Sequence, residues 1–298
     1  MYFLFKKDKL FNESIKLRPV EEFININLYR PLAFLFLLIL LKLNKNIKPE
    51  TIVIFHTILI ILSAVFIFFN NTLFNIIAFF LINLKIILDN LDGQYSRIKK
   101  LESELGRYLD TLMDFLGNFI LFLIIGIKYN YIFFSIFCFF LFTFILSYDF
   151  NLEYLYRYFK NEQFRPNIKD NPSFLVNFLK KLYNILLEYQ DNFIRSLENK
   201  MFNLVFYLVS LRKNKKNFND IEIIKEKMKE IFWSKFYLHI TANMGLSTQL
   251  FILSLLILFN MEFYFFYFVI FQFLLLILLL IIRIFIIIFY IYKLLLKD

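Results

Sequence analysis

The chain predicts an all-α fold, a polytopic membrane helix bundle, and three observations carry that reading. Of its 298 residues, 60% are hydrophobic and 21% aromatic, with a mean hydropathy of +0.63, well away from a soluble average. Six stretches approach the ~20 apolar residues needed to cross hydrocarbon; they lie at residues 51–70, 72–91, 106–127, 130–148, 236–259 and 262–290. Lysine and arginine then alternate from one connection to the next. Residues 1–50 carry nine of them, 97–107 four and 149–235 sixteen, whereas the turns near 71 and 260 carry none and the turn near 129 only Lys128. Positive charge marks the cytoplasmic side, so both termini and the 97–107 loop are expected there.

The run Pro31–Leu43 is too short to span, is flanked by Arg30 and Lys42, and precedes Pro49, which predicts an N-terminal interfacial helix, with a short spanning helix as the alternative. Lys6, Lys7, Asp8 and Lys9 interrupt the start where a secretion signal would be apolar, so the N-terminus is expected to be retained. The spans divide into 1–148, with the interfacial segment and four helices, and 236–298, with two. Between them residues 149–235 have a soluble composition and are expected to form a helical cytoplasmic insert. Asn171, Pro172 and Ser173 can start a helix. From there Phe174, Leu175, Phe178, Leu179, Leu182, Ile185 and Leu186 recur at helical spacing, giving an amphipathic helix opposite Lys180 and Lys181. A second helix is expected over about 189–210 and a third over 219–232, with Arg212–Lys216 as the connection. Such an insert reads first as a hairpin on the membrane surface, and second as a cap or acceptor-recognition element.

The net charge of +10 follows from topology and anionic headgroups, and predicts no nucleic-acid partner. Cys138, the single cysteine, excludes a disulfide framework and reads as a packing residue.

Against this apolar background stand Asp89, Asp92, Gly93, Arg97, Gly106, Asp110 and Asp114, in the order D-x2-D-G-x3-R-x8-G-x3-D-x3-D. With ordinary residue usage a given start position matches all seven by chance on the order of once in 10⁹. An ionised Asp at the bilayer centre costs roughly 2.5–3.5 kcal/mol, so four together need a compensating charge. Helical spacing places Asp89, Asp92, Gly93 and Arg97 on one face, and Gly106, Asp110 and Asp114 on another. Two facing helices would form a four-carboxylate cage. Hard oxygen ligands favour Mg²⁺, Mn²⁺ or Ca²⁺ over zinc, and four carboxylates suffice for two ions. A pair of ions suits displacement at phosphorus. Gly93 and Gly106 let a bulky group approach the backbone, and Arg97 can fork two phosphate oxygens.

The runs Asp89–Arg97 and Gly106–Asp114 resemble the signature of the CDP-alcohol phosphotransferase (CDP-alcohol phosphatidyltransferase) family, with Ser96 where the pattern has alanine. The resemblance implies a membrane transferase of phospholipid synthesis that moves a phosphatidyl or phosphoalcohol group from a CDP-linked donor, such as CDP-diacylglycerol, to a hydroxyl acceptor and releases CMP. It implies that Asp89, Asp92, Asp110 and Asp114 hold two divalent cations, Mg²⁺ or Mn²⁺. Asp114 would double as base for the acceptor alcohol, Arg97 would hold the diphosphate, and Gly93 and Gly106 would make room for the cytidine. It further implies a homodimer in a bacterial cytoplasmic membrane. The family's Asn after the proline before its first span is Glu50 here.

A membrane prenyltransferase also uses Asp-rich helices with Mg²⁺, but in two separated clusters. A transporter with intramembrane carboxylates would have no use for the paired Gly and Arg. His56 and His239 lack partners at i+3 or i+4 and read as packing or interfacial residues. Lys85, one turn before Asp89, is expected to balance the carboxylates, bind a phosphorylated acceptor or snorkel to an interface. Thr241, Asn243, Ser247, Thr248 and Gln249 make the fifth span unusually polar, suiting a pocket lining or interhelical hydrogen bonds.

Overall fold

A computed structural model describes residues 5–16, 18–43, 47–69, 71–164, 168, 173–211 and 218–295. The expected Arg212–Lys216 connection and the Asn171-Pro172 start lie outside them. Among the described residues every regular element is helical. Helix α1 (Lys9–Ser14) starts where the Asp8 side chain accepts from Phe11 N. A π turn, Asn25–Tyr29, runs into α2 (Arg30–Lys42). Helix α3 (Pro49–Phe68) opens on a proline, whose missing N–H costs nothing in a first turn. Helix α4 (Thr72–Lys99) is capped by Asn71, and α5 (Glu104–Lys128) by Ser103, whose hydroxyl oxygen accepts from Gly106 N. Helix α6 (Ile132–Phe159) continues eleven residues past the expected boundary at 148, so that Asp149 and Glu153 stand on the same helix as the fourth expected span.

Helices α7 (Phe174–Tyr183), α8 (Tyr189–Leu211) and α9 (Phe218–Phe232) follow, with a π turn over Asn184–Glu188. The fifth expected span is broken: α10 (Lys235–Ala242) and α11 (Leu246–Leu258) meet at the turn Asn243-Met244-Gly245. Helix α12 (Tyr264–Leu295) is the last described element.

The described residues contain seven helices long and apolar enough to cross a membrane. The seventh, beyond the six expected spans, is Asn25–Lys42. The π turn joins the 31–43 run at its N-terminal end and brings the helix to 18 residues.

Packing places α4 at the centre of the half that carries the aspartates, against α2, α3 and α11, while α5 packs on α3, α6 and α7. Close approach of α3 and α5 depends on Gly117, where an added Cβ would stand 2.5 Å from Ile60 Cγ2. Polar tethers cross the apolar core (Ile82, Ile86, Phe122, Phe139, Leu253): Tyr29 Oη donates to Asn83 at 2.6 Å, and Asn83 Nδ2 to Ser254 Oγ at 3.1 Å. On the far side of the bundle Lys128 and Tyr129 both reach the buried Glu262. Helices α7–α9 are joined to the spans rather than laid beside them. Arg283 of α12 and Tyr148 of α6 both donate to the buried Glu198 of α8, each at 2.6 Å. Phe159 stacks on Trp233 at 3.9 Å.

Candidate active site

The two motif halves sit on α4 and α5, whose facing sides are joined by the short turn Lys100–Ser103. Lys100 takes the left-handed conformation, with φ 56°, and lets Leu101 N return to Ser96 O at 2.8 Å. This ends α4 four residues before α5 begins. Most of the expected solvated loop is therefore helix, and Arg97 and Gly106 are held on rigid elements.

Asp89, Asp110 and Asp114 converge. Together with His56 of α3 each offers one ligand atom, and the four atoms lie within 4.8 Å of one another. Asp92 stands beside this group, its Oδ2 3.5 Å from His56 Nε2, buried and without a hydrogen-bond partner. His56 Nε2 also lies 3.8 Å from Asp110 Oδ1. His56, expected to be a packing residue, is thus fully buried inside the carboxylate cluster. It lies 33 residues before Asp89 on a different helix, so no local spacing announced it. Among the described residues His239 joins no such group.

Lys85, 1% exposed, reaches two of the four carboxylates: its Nζ is 3.2 Å from Asp89 Oδ2 and 2.6 Å from Asp114 Oδ1. Of the three expectations for Lys85, geometry selects charge balance. One ammonium against four carboxylates leaves an excess of negative charge at membrane depth, which is costly unless a cation joins it. The donor set is hard oxygen with one imidazole, and Asp92 Oδ2 is an orphaned buried acceptor. These residues fit a divalent cation of the Mg²⁺ or Mn²⁺ kind.

Two cavities meet at the cluster. The first, of about 470 Å³, is lined by Asp92, Gly93, Arg97, Gly106 and Asp110 among others. The Arg97 guanidinium lies over Gly93, where an added Cβ would meet Nη2 at 3.1 Å, and its Nε donates to Ser14 O at 2.5 Å. Gly106 is bounded by Ser103 Oγ and, beyond it, Glu50, to which the Ser103 hydroxyl donates at 3.1 Å. The second cavity, of about 420 Å³, is lined by Asp110, Asp114 and Asn118 of α5, by Asp149 and Glu153 of α6, and by Asp191 of α8. Asp110, Thr111 and Lys16 line both.

Behind the second cavity Arg18 joins Asp149 at 2.9 Å and Glu153 at 2.7 Å. Burial opposes its charge, but the two carboxylates outweigh that and hold its pKa above the ordinary value. Glu22 accepts from Thr248 N and Oγ1 at the start of α11, at 3.0 and 3.1 Å. Burial pushes its carboxyl up to about 7 against the pull of those donors. The polar stretch of the fifth span is the partner of this acid, and Gly245 leaves it room.

Over 84 residues the chain is 31% identical to an "Uncharacterized protein" of Aquifex aeolicus (strain VF5), a match covering 28% of this chain and 41% of that relative. The chain therefore spans less than half the length of the relative it matches. Residues 46–167 match the family model described as CDP-alcohol phosphatidyltransferase, a family of divalent-metal-dependent transferases acting on CDP-linked alcohols. That stretch holds all seven motif residues, His56 and Lys85.

Proposed function

We propose that the protein transfers a phosphatidyl group from CDP-diacylglycerol to the hydroxyl of a polar alcohol, releasing CMP at the cytoplasmic face of the membrane. The observation that carries this reading is the junction of two cavities on one carboxylate cluster. A transferase of this kind needs a donor chamber and an acceptor chamber meeting at the reacting phosphorus.

The first chamber has the residues for the donor. Arg97 offers planar paired N–H groups to the diphosphate, and Gly93 and Gly106 leave the walls of the cavity bare for the cytidine. Asp89, Asp92, Asp110 and Asp114 would hold two divalent ions, with His56 close enough to join them. Bound there, the ions supply charge neutralisation for the diphosphate. Asp114 faces the second chamber and not the first, which suits a base. It takes the proton of the acceptor hydroxyl as that oxygen attacks the phosphorus bearing the lipid, and the bond from that phosphorus to the CMP oxygen breaks. Lys85, paired to Asp114, keeps the carboxylate oriented between turnovers.

The test is release of CMP from radiolabelled CDP-diacylglycerol by the purified protein, with a panel of alcohols, with and without Mg²⁺ or Mn²⁺. CMP formation that requires both alcohol and metal is the expected result. Metal-independent cleavage, or none with any acceptor, would remove the assignment.

A further inference from the structure

The second cavity differs from the first in what it offers a ligand. The first is balanced, with Lys16, Arg97 and Arg107 against Asp92, Glu102 and Asp110. The second is lined by Glu22, Asp110, Asp114, Asn118, Asp149, Glu153 and Asp191, against two cations, Arg18 and the shared Lys16. Arg18 is committed to Asp149 and Glu153, and Arg157 adds a second partner to Glu153 at 3.0 Å. Asp191 has no ion-pair partner among the described residues. It accepts from Asn151 Nδ2 at 2.7 Å, from Tyr183 Oη at 3.0 Å, and from the Ser147 hydroxyl. Asn118, one turn beyond Asp114 on the same helix, is 3% exposed and its Oδ1 has no hydrogen-bond partner. A buried amide oxygen left unpaired at a cavity wall is an acceptor waiting for a donor.

The cavity is thus rich in acceptors and in negative charge. Such a lining binds a ligand that brings O–H or N–H donors, and rejects one that brings a phosphate. Two of its walls, Tyr183 and Asp191, come from helices α7 and α8, beyond the 46–167 family match. We infer that the hydroxyl acceptor is a small polyol or amino alcohol without a phosphate, seated between Asn118 and Asp191, and that the α7–α8 segment sets this choice. The inference rests on the transfer reading above and narrows its acceptor. It also gives the 149–235 segment a role that a surface hairpin would not have.

The experiment uses the full chain in detergent with CDP-diacylglycerol and Mg²⁺, comparing glycerol, inositol, serine and ethanolamine with glycerol phosphate and inositol phosphate. CMP is expected with at least one unphosphorylated alcohol, with kcat/KM for the phosphates lower by about tenfold or more. Asn118→Ala and Asp191→Asn are each expected to raise acceptor KM about tenfold, the usual cost of one lost hydrogen bond to a buried partner, with donor KM unchanged. Asp191 also ties α8 to α6, so Asn118→Ala, whose amide oxygen holds nothing else, is the safer variant. Binding of the favoured alcohol without donor is read separately by saturation-transfer NMR. Preference for a phosphorylated acceptor, turnover only with diacylglycerol and a CDP-alcohol, or wild-type acceptor KM in both variants would overturn the inference while leaving the transfer reaction standing. Binding that is lost in Asn118→Ala, in a protein that releases no CMP, would support the acceptor site and refute the transfer reading. Absence of both would remove both.

Discussion

Lys85 offers a quantitative test of how the carboxylate cluster is balanced. Its ammonium is buried and serves Asp89 and Asp114 at once. Lys85→Met keeps the length and apolar stem of the side chain and deletes the charge. Removing one partner of a buried ion pair costs about 3–5 kcal/mol, because the remaining charge is left uncompensated. Here two carboxylates are orphaned, and Asp92 and Asp110 lie beside them, so the upper part of that range applies. With roughly 2–4 °C for each kcal/mol in a chain of this size, the melting temperature should fall by about 10–20 °C.

The fall should be large only when metal is removed. A divalent cation among Asp89, Asp110 and Asp114 supplies the charge that Lys85 supplied, and meets no ammonium repelling it. Mg²⁺ should therefore raise the melting temperature of Lys85→Met more than that of the wild type, and calorimetry should show tighter metal binding by the variant. The assay is thermal unfolding of detergent-solubilised protein by circular dichroism, in EDTA and in excess Mg²⁺, at one scan rate. An equal loss in both conditions would show that Lys85 is a packing residue whose charge is incidental.

Three further expectations concern neighbouring groups. Asp89→Asn should abolish turnover and weaken metal binding, whereas Asp114→Asn should leave donor binding in place while turnover falls by about 10² or more; equal loss of metal and donor binding in both would make Asp114 a ligand first. Gly93→Ala should raise donor KM, since the new Cβ would stand 3.1 Å from Arg97 Nη2 and push the guanidinium from its place, and Arg97→Lys should do the same by losing the planar fork; wild-type donor KM in both would place the diphosphate elsewhere. Glu22 titrates near 7 in the folded protein, above its ordinary 4.5, because burial favours the neutral acid; its contribution is therefore full below about 4.5 and is lost as pH rises through 7, by up to about 3 kcal/mol. Glu22→Gln should flatten that decline in melting temperature between pH 5 and 8, and an unchanged slope would assign it to other groups.

Legibility in the sequence followed the range of each signal. The motif was readable because its seven residues lie on two consecutive helices, where spacing alone fixes the shared face. The spans were readable from length and hydropathy, and the second helix of the 149–235 segment was expected at 189–210 and is found at Tyr189–Leu211. What could not be read depends on contacts between distant segments. His56 joins the cluster through the packing of α3 on α4 and α5. Asn118 and Asp191, 73 residues apart, come to one cavity only because α8 folds against α6. The break at Gly245 was hidden because its cause is Glu22, more than 200 residues away, whose carboxylate accepts the N–H of Thr248.

Glycine usage carries the argument one step further. The chain has five glycines in 298 residues, and none has a positive φ. The left-handed positions that end helices are taken instead by Lys100, Asn130, Asn161 and Asn260, in keeping with the tolerance of asparagine for that region. Conformational freedom is therefore not what the glycines supply. An added Cβ would meet another atom at 3.1 Å at Gly93, 2.9 Å at Gly106, 2.5 Å at Gly117, 2.2 Å at Gly126 and 2.1 Å at Gly245. At four of them the Cβ would come closer than 3.0 Å, and at Gly93 the Arg97 guanidinium would have to give way. Two of them bare the wall of the first cavity, one seats α5 on α3, one closes the α5–α6 turn against Ser135, and one admits Glu22 to the start of α11. In a composition so poor in glycine, the positions of this residue trace the same line as the carboxylates: the first cavity, the helix pair α3 and α5, and the far wall of the second cavity.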